Sequence, residues 1–294
     1  MSNYLSEYAE SGLYTMQGRL VPPEGGRFQS FPRDGWRLEI EHAGRIGLRG
    51  IEWIYDLYGE GVNPLETTDG RETLSALLQQ HGVSVVSICA DYFMDKPLLR
   101  CSGEENRQLL QRLEWLVGIC PDLGIGRVVL PFVDASKIGD EAECNFVIAN
   151  LRSVLPAAES HGVELHLETD MAPAAFRSFL ERLEHPLIKV NYDAGNSASL
   201  GYKPAEEFAA YGHRIGSFHI KDRRKGGSTV PLGQGDADFA TLREQLLRYD
   251  YRGDFVMQVA RGEPGDEPRW LAGMAQLSAD WLRGKALNDR KLRP

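Results

Sequence analysis

Four polar residues end four apolar runs in the second half of the chain. The runs are residues 163–168, 188–193, 215–219 and 254–258, and their last residues are Glu168, Asp193, His219 and Gln258. The gaps between these residues are 25, 26 and 39, each about the length of one strand plus one helix. Adjacent parallel strands of a closed barrel deliver their last inward side chains to one end, where barrel active sites lie. Two carboxylates, an imidazole and an amide carbonyl meeting there suit a divalent cation, Mn²⁺ or Mg²⁺ in the first place, Co²⁺ or Zn²⁺ in the second. Beside such an ion Glu168 is a candidate ligand and acid or base.

Other residues fall at corresponding places. His166 shares a strand face with Glu168 and is expected one layer below it as a support, or against the substrate. Asp222, three residues beyond His219, is a candidate to orient that imidazole, to contact substrate or to serve as a second acid or base. Asn196 follows Asp193 in Asn191-Tyr-Asp-Ala-Gly-Asn196, read as a turn out of the strand and a candidate substrate contact. Arg19, Glu52 and Asp91 end the first three apolar runs and are candidates for the same mouth. Trp53 and Tyr92 either line a sugar face or pack in the core. The basic segment Lys221-Asp-Arg-Arg-Lys-Gly-Gly227 follows the seventh run, where barrel enzymes often hold phosphate. Arg223, Arg224 or Lys225 are its candidate anion ligands.

The elements that must position these residues are eight short apolar runs, at 12–20, 50–55, 83–90, 127–133, 163–168, 188–193, 215–220 and 254–259. Uniformly apolar rather than alternating, they read as buried parallel strands. Helical patterns lie between them, at 36–46, 72–81, 104–123, 141–161, 172–184, 204–211, 239–249 and 268–282. Strand and helix in alternation imply βαβ units. Eight units imply a single-domain (β/α)₈ TIM barrel over residues 1–284, followed by a charged tail at 285–294. An open doubly wound sheet would show a glycine-rich phosphate loop after its first strand, and residues 16–23 carry no GxGxxG.

Hydrophobic residues make up 42% of the 294, enough for a sizeable core, and the net charge is −9. An acidic chain argues against a nucleic-acid partner. No run of about 18 apolar residues suggests a membrane span, and no basic-then-apolar leader is read at the N-terminus. Four cysteines without CxxC spacing read as reduced thiols. Together these point to a cytoplasmic protein with a small-molecule partner. A homo-oligomer built through residues 57–69 or the tail is possible.

At these residues the sequence resembles the sugar (phosphate) isomerase/epimerase family with a xylose isomerase-like TIM barrel, over nearly its whole length. The resemblance rests on Met16-Gln-Gly-Arg-Leu20, Gly50-Ile-Glu-Trp-Ile-Tyr-Asp56, Cys89-Ala-Asp-Tyr-Phe-Met94, Glu168, Asn191-Tyr-Asp-Ala-Gly-Asn196, His219-Ile-Lys-Asp222 and Leu232-Gly-Gln-Gly235. It implies a sugar or sugar phosphate as substrate and one divalent metal held by strand-end Glu, Asp, His and Glu. Glu168, Asp193 and His219 match the first three of these, and Gln258 departs from the fourth. The two glutamates of such epimerases act from opposite faces of the substrate, so Gln258 removes the second base. Same-face return by Glu168 gives an aldose–ketose isomerase. Opposite-face return needs another group: Asp222, Glu52 or a metal-bound water. The resemblance also admits a dehydratase or lyase on an inositol-like or keto-sugar substrate, and a non-catalytic sugar-binding barrel. An abasic-site endonuclease needs more strand-end histidines than this acidic chain offers.

Overall fold

The computed structural model describes residues 4–287. Eight parallel strands close into a barrel. In chain order they are Tyr14–Met16, Gly50–Ile54, Ser84–Cys89, Arg127–Phe132, Glu164–Thr169, Ile188–Asp193, Ile215–Ile220 and Asp254–Met257. Each pairs with the next, and the eighth closes on the first through Tyr14 opposite Val256. The fold is thus the single-domain (β/α)₈ barrel expected from the spacing. Of the expected tail, residues 288–294 lie outside the described residues, whereas Lys285 is tied to Asp280 at 2.8 Å.

Helices occupy the connections, bounded by the signals their sequence carries. Thr67 caps Thr68–His81 by accepting from the Gly70 amide, and Gly82 ends it in a left-handed conformation. Asp140 and Gly162 do the same for Glu141–His161. The helix expected to run through Pro121 stops as an α-helix at Ile119 and tightens into the 3₁₀ turn Cys120–Leu123, since proline cannot continue the hydrogen-bond ladder. Three short α-helices among the described residues have no counterpart in the sequence reading: Leu5–Ser11, Tyr92–Asp95 and Ala194–Leu200. The last replaces the expected turn after Asp193. None of the helices among the described residues is long and apolar enough to cross a membrane. All four cysteines are free, Cys89, Cys120 and Cys144 buried.

An apolar layer between the barrel and its helices holds the strands in place. Outward residues of the sixth to eighth strands pack against the last helix: Phe218 stacks on Tyr192 at 5.2 Å and touches Phe255 and Trp281. That packing turns Phe218 outward, so its neighbour His219 points into the barrel. The inner layer is polar here. His166 fills the barrel interior with hydrogen bonds to Ser217 Oγ at 2.7 Å and to Glu164 at 2.8 Å. The register between the sixth and seventh strands slips at this point, pairing Val190 with Ile215 but Asn191 with Ser217. Gly216 is the extra residue of this bulge. The slip brings Asp193 opposite His219.

A Cβ on Gly216 would lie 2.5 Å from His166 Cε1, and His166 is bonded at both ring nitrogens. Gly216→Ala is expected to destabilise the protein by about 1–3 kcal/mol in chemical denaturation, the usual cost of overpacking. An unchanged midpoint would mean that His166 does not fill this space.

Candidate active site at the carboxyl end of the barrel

Glu168, Asp193 and His219 end the fifth, sixth and seventh strands, and one donor atom of each lies within 4.8 Å of the others. All three are buried. His219 Nδ1 is 3.5 Å from Glu168 and 3.8 Å from Asp193. Its other nitrogen, Nε2, is 2.7 Å from Glu52, which also accepts from Ser87 Oγ. The ring is therefore fixed, with Nδ1 toward the two strand-end carboxylates.

The charges explain how these groups hold protons. Burial alone would raise the Glu52 carboxyl, but the adjacent His219 imidazole brings it below its ordinary value. Burial would lower His219; Glu52, Asp193 and Glu168 outweigh it and push the ring up to about 10. Burial and the neighbouring Asp193 charge raise Glu168. Asp193 goes the other way: against the cost of burial, Lys221 and His219 hold it well below the usual carboxylate range.

Two asparagines aim Glu168. Asn191 donates to one of its oxygens at 2.8 Å and Asn196 to the other at 2.6 Å. Asn196 is in the first turn of Ala194–Leu200, whose N-cap is Asp193 itself, accepting from the Asn196 amide at 2.8 Å. One carboxylate oxygen of Asp193 thus starts the helix while the other faces His219 and Lys221. Lys221 donates to Asp193, to Asn196 and to the Gln258 carbonyl, each at 3.1 Å. Its stem crosses Gly195, where a Cβ would stand 2.6 Å from Lys221 Cγ. A glycine between Ala194 and Asn196 is what lets the lysine reach the site.

Above these groups opens a cavity of about 340 Å³. Its walls include Glu168, Asn196, Lys221, Gln258, Asp91 and Arg223, and Phe28 and Tyr58 stand at the rim. Of the three donors that meet below, only Glu168 reaches this cavity. The donor set fits a divalent ion: two buried carboxylates and an imidazole converge, and a carboxylate behind the imidazole fixes its orientation. The Gln258 oxygen is a candidate fourth donor, facing the Lys221 ammonium on the same side of the barrel.

Several expected positions need correcting. Glu52 is not at the mouth; it lies below His219 as its hydrogen-bond partner. His166 lies deeper still, away from the cavity and linked to Glu168 through Ser217 and Asn191. Asp222 does not orient His219. Its carboxylate accepts the backbone amides of Gly233, Gly235 and Ala237 and so holds the loop after the seventh strand. Arg19 is buried against the first loop, donating to Val259, Phe28 and Gln29. Arg223 lines the cavity but is bound to Asn196 and Gly227, and Arg224 is exposed and outside the lining. Trp53 packs against Phe31 and Trp36, and Tyr92 against Tyr55, so neither faces the cavity.

Reasoning from sequence passed over Lys221, Asn191 and Gln29. The first two carried a signal: Lys221 is in phase with His219, and Asn191 with Asp193, at the strand period of two. Gln29 lies in an irregular loop without periodicity.

The profile of one family, described as the xylose isomerase-like TIM barrel, matches residues 40–284. The chain belongs to that family. Its relatives include a 2-epi-5-epi-valiolone 7-phosphate 2-epimerase from an Actinoplanes strain, 26% identical over 87% of this chain and 94% of that one. An inosose dehydratase from Geobacillus kaustophilus is 24% identical over 81% of this chain and 94% of its own. Among solved structures, the IOLI protein with a bound zinc atom superposes with a TM-score of 0.70 at 16% identity, covering 92% of this chain and 96% of that one. Within this xylose isomerase-like barrel the strand-end cluster sits at the carboxyl end of the strands.

Removing the support behind the imidazole tests the geometry. Glu52→Gln is expected to weaken Mn²⁺ binding about 10- to 100-fold by titration calorimetry, the usual effect of losing such a partner. Unchanged affinity would mean that His219 is not a ligand held by Glu52.

Proposed function

We propose that the protein is a divalent-metal-dependent isomerase or epimerase of a ketose or aldose, free or phosphorylated, in which Glu168 moves a proton at the carbon beside the substrate carbonyl. The observation that carries this reading is the double position of Glu168. It belongs to the buried cluster of Glu168, Asp193 and His219 and is the one member of it that lines the cavity. The relatives' own activities, an epimerisation and a dehydration, support the same kind of chemistry, and a zinc atom in a barrel of the same fold supports the metal.

Glu168, Asp193 and His219, with Gln258 as the candidate fourth donor, would hold a divalent cation, Mn²⁺ or Mg²⁺ favoured, which would supply Lewis-acid polarisation of the substrate carbonyl. The protein's own groups do the rest. Asn191 and Asn196 hold the Glu168 carboxylate from both oxygens, so its orientation is set before substrate arrives. Glu168 would take the proton from the carbon next to the carbonyl and return it, on the same face, to the former carbonyl carbon while the hydroxyl proton passes to the old carbonyl oxygen, which gives aldose–ketose isomerisation; epimerisation needs a different group to protonate the opposite face. Lys221 places a positive charge beside the wall where negative charge develops on the substrate oxygen. Asp91, in the cavity wall, would accept substrate hydroxyls, and Phe28 and Tyr58 offer apolar faces to the carbon skeleton. Arg27 and Arg223, both in the lining, are the candidates to meet a phosphate.

Glu168→Gln is expected to lower turnover about 10²- to 10⁴-fold, the usual worth of a positioned base, while the substrate still binds. Proton NMR of sugar and sugar phosphate conversion in D₂O reads this out. Retained turnover would contradict the assignment of Glu168. A product lighter by one water would instead place the chemistry with the dehydratases.

A further inference from the structure

The residue that departs from the family pattern, Gln258, is bonded at both ends of its amide. Its oxygen accepts from Lys221 at 3.1 Å, and its nitrogen donates to Gln29 Oε1 at 2.8 Å. Gln29 continues the run, donating from its own amide nitrogen to Asp91 at 2.8 Å. The chain Lys221–Gln258–Gln29–Asp91 thus crosses from the seventh strand to the eighth, through the first loop, to the end of the third. Its direction is forced by its ends. An ammonium only donates and a carboxylate only accepts. Arg19 adds a second donor to Gln29 Oε1 at 3.1 Å, and a guanidinium cannot accept. Gln29 therefore cannot turn its amide over without facing one donor with another at Arg19 and one acceptor with another at Asp91.

We propose that Gln29 is a positioning residue that, with Lys221 and Asp91, locks position 258 as an amide and excludes a carboxylate there. The inference rests on the functional reading above and narrows it. With the lock in place the eighth strand contributes a carbonyl and no base. Glu168, three strands away around the barrel, then makes its transfer without a partner carboxylate at position 258. Gln258 is in this sense built into the site rather than a lost glutamate. A glutamate at 258 would set its own oxygen against Gln29 Oε1, two acceptors in a part-buried contact at the cavity wall with no proton between them.

The test is a double-mutant cycle of Gln258→Glu and Gln29→Met, read by thermal denaturation and by Mn²⁺ titration. In the native background, Gln258→Glu is expected to lower Tm by about 3 °C or more. It should leave Mn²⁺ affinity within about threefold despite the added charge. In the Gln29→Met background the same change is expected to cost less than about 1 °C and to tighten Mn²⁺ about tenfold or more, since the carboxylate is free to turn toward the ion. An equal Tm cost in both backgrounds, or no cost in either, overturns the lock. So does a tenfold gain in Mn²⁺ affinity from Gln258→Glu alone. Native protein that binds no Mn²⁺ would contradict the metal-site reading on which the inference rests, a result separate from the thermal one.

Discussion

The site depends on one buried imidazole that touches carboxylates on both sides. His219 is wholly buried, with Glu52 on one nitrogen and Glu168 and Asp193 facing the other. Buried carboxylates are costly unless paired and hydrogen-bonded, and three of them surround this ring. Two positive groups answer them: the imidazole itself and the Lys221 ammonium on Asp193. Everything around the cluster supplies the remaining hydrogen bonds. Ser87 serves Glu52, Asn191 and Asn196 serve Glu168, and the first turn of the helix after Asp193 serves that carboxylate. The arrangement is demanding because a single missing donor would leave a charge unpaired in the barrel.

Backbone details that look incidental follow from it. The slipped register at Gly216 gives His166 its space and sets Asp193 opposite His219. Gly195 clears the path for Lys221. The loop after the seventh strand is gathered onto the Asp222 carboxylate, which carries Arg223 to the cavity wall. The first loop is pinned by Arg19 and Arg261, both bonded to the Phe28 carbonyl, and it brings Phe28 and Gln29 over the barrel mouth. Rigid strands thus fix the inner donors, and two tethered loops make the walls.

The sequence made some of this legible. The eight runs and the strand-end positions of Glu168, Asp193, His219 and Gln258 could be read because buried parallel strands are apolar without interruption, so a polar residue at the end of one stands out. Position along a strand gives the face but not the depth. Glu52 was for that reason placed at the mouth, and His166 was left open between a support one layer below Glu168 and a substrate contact; both lie in lower layers. Asp222 was misjudged for another reason. A carboxylate that accepts three loop amides carries no periodic signal, and only the fold of residues 233–237 reveals its partners. Gln29 could not be found at all. Its role exists only because Asp91 and Gln258, distant in sequence, reach opposite ends of its amide.

The central claim is that Glu168, Asp193 and His219 form one divalent-cation site. Elemental analysis after incubation with Mn²⁺ and gel filtration tests it most directly, comparing native protein with Asp193→Ala at equal thermal stability. The account predicts about one equivalent of metal per native chain and almost none in the variant. Equal metal in both proteins, or none retained by either, would contradict it.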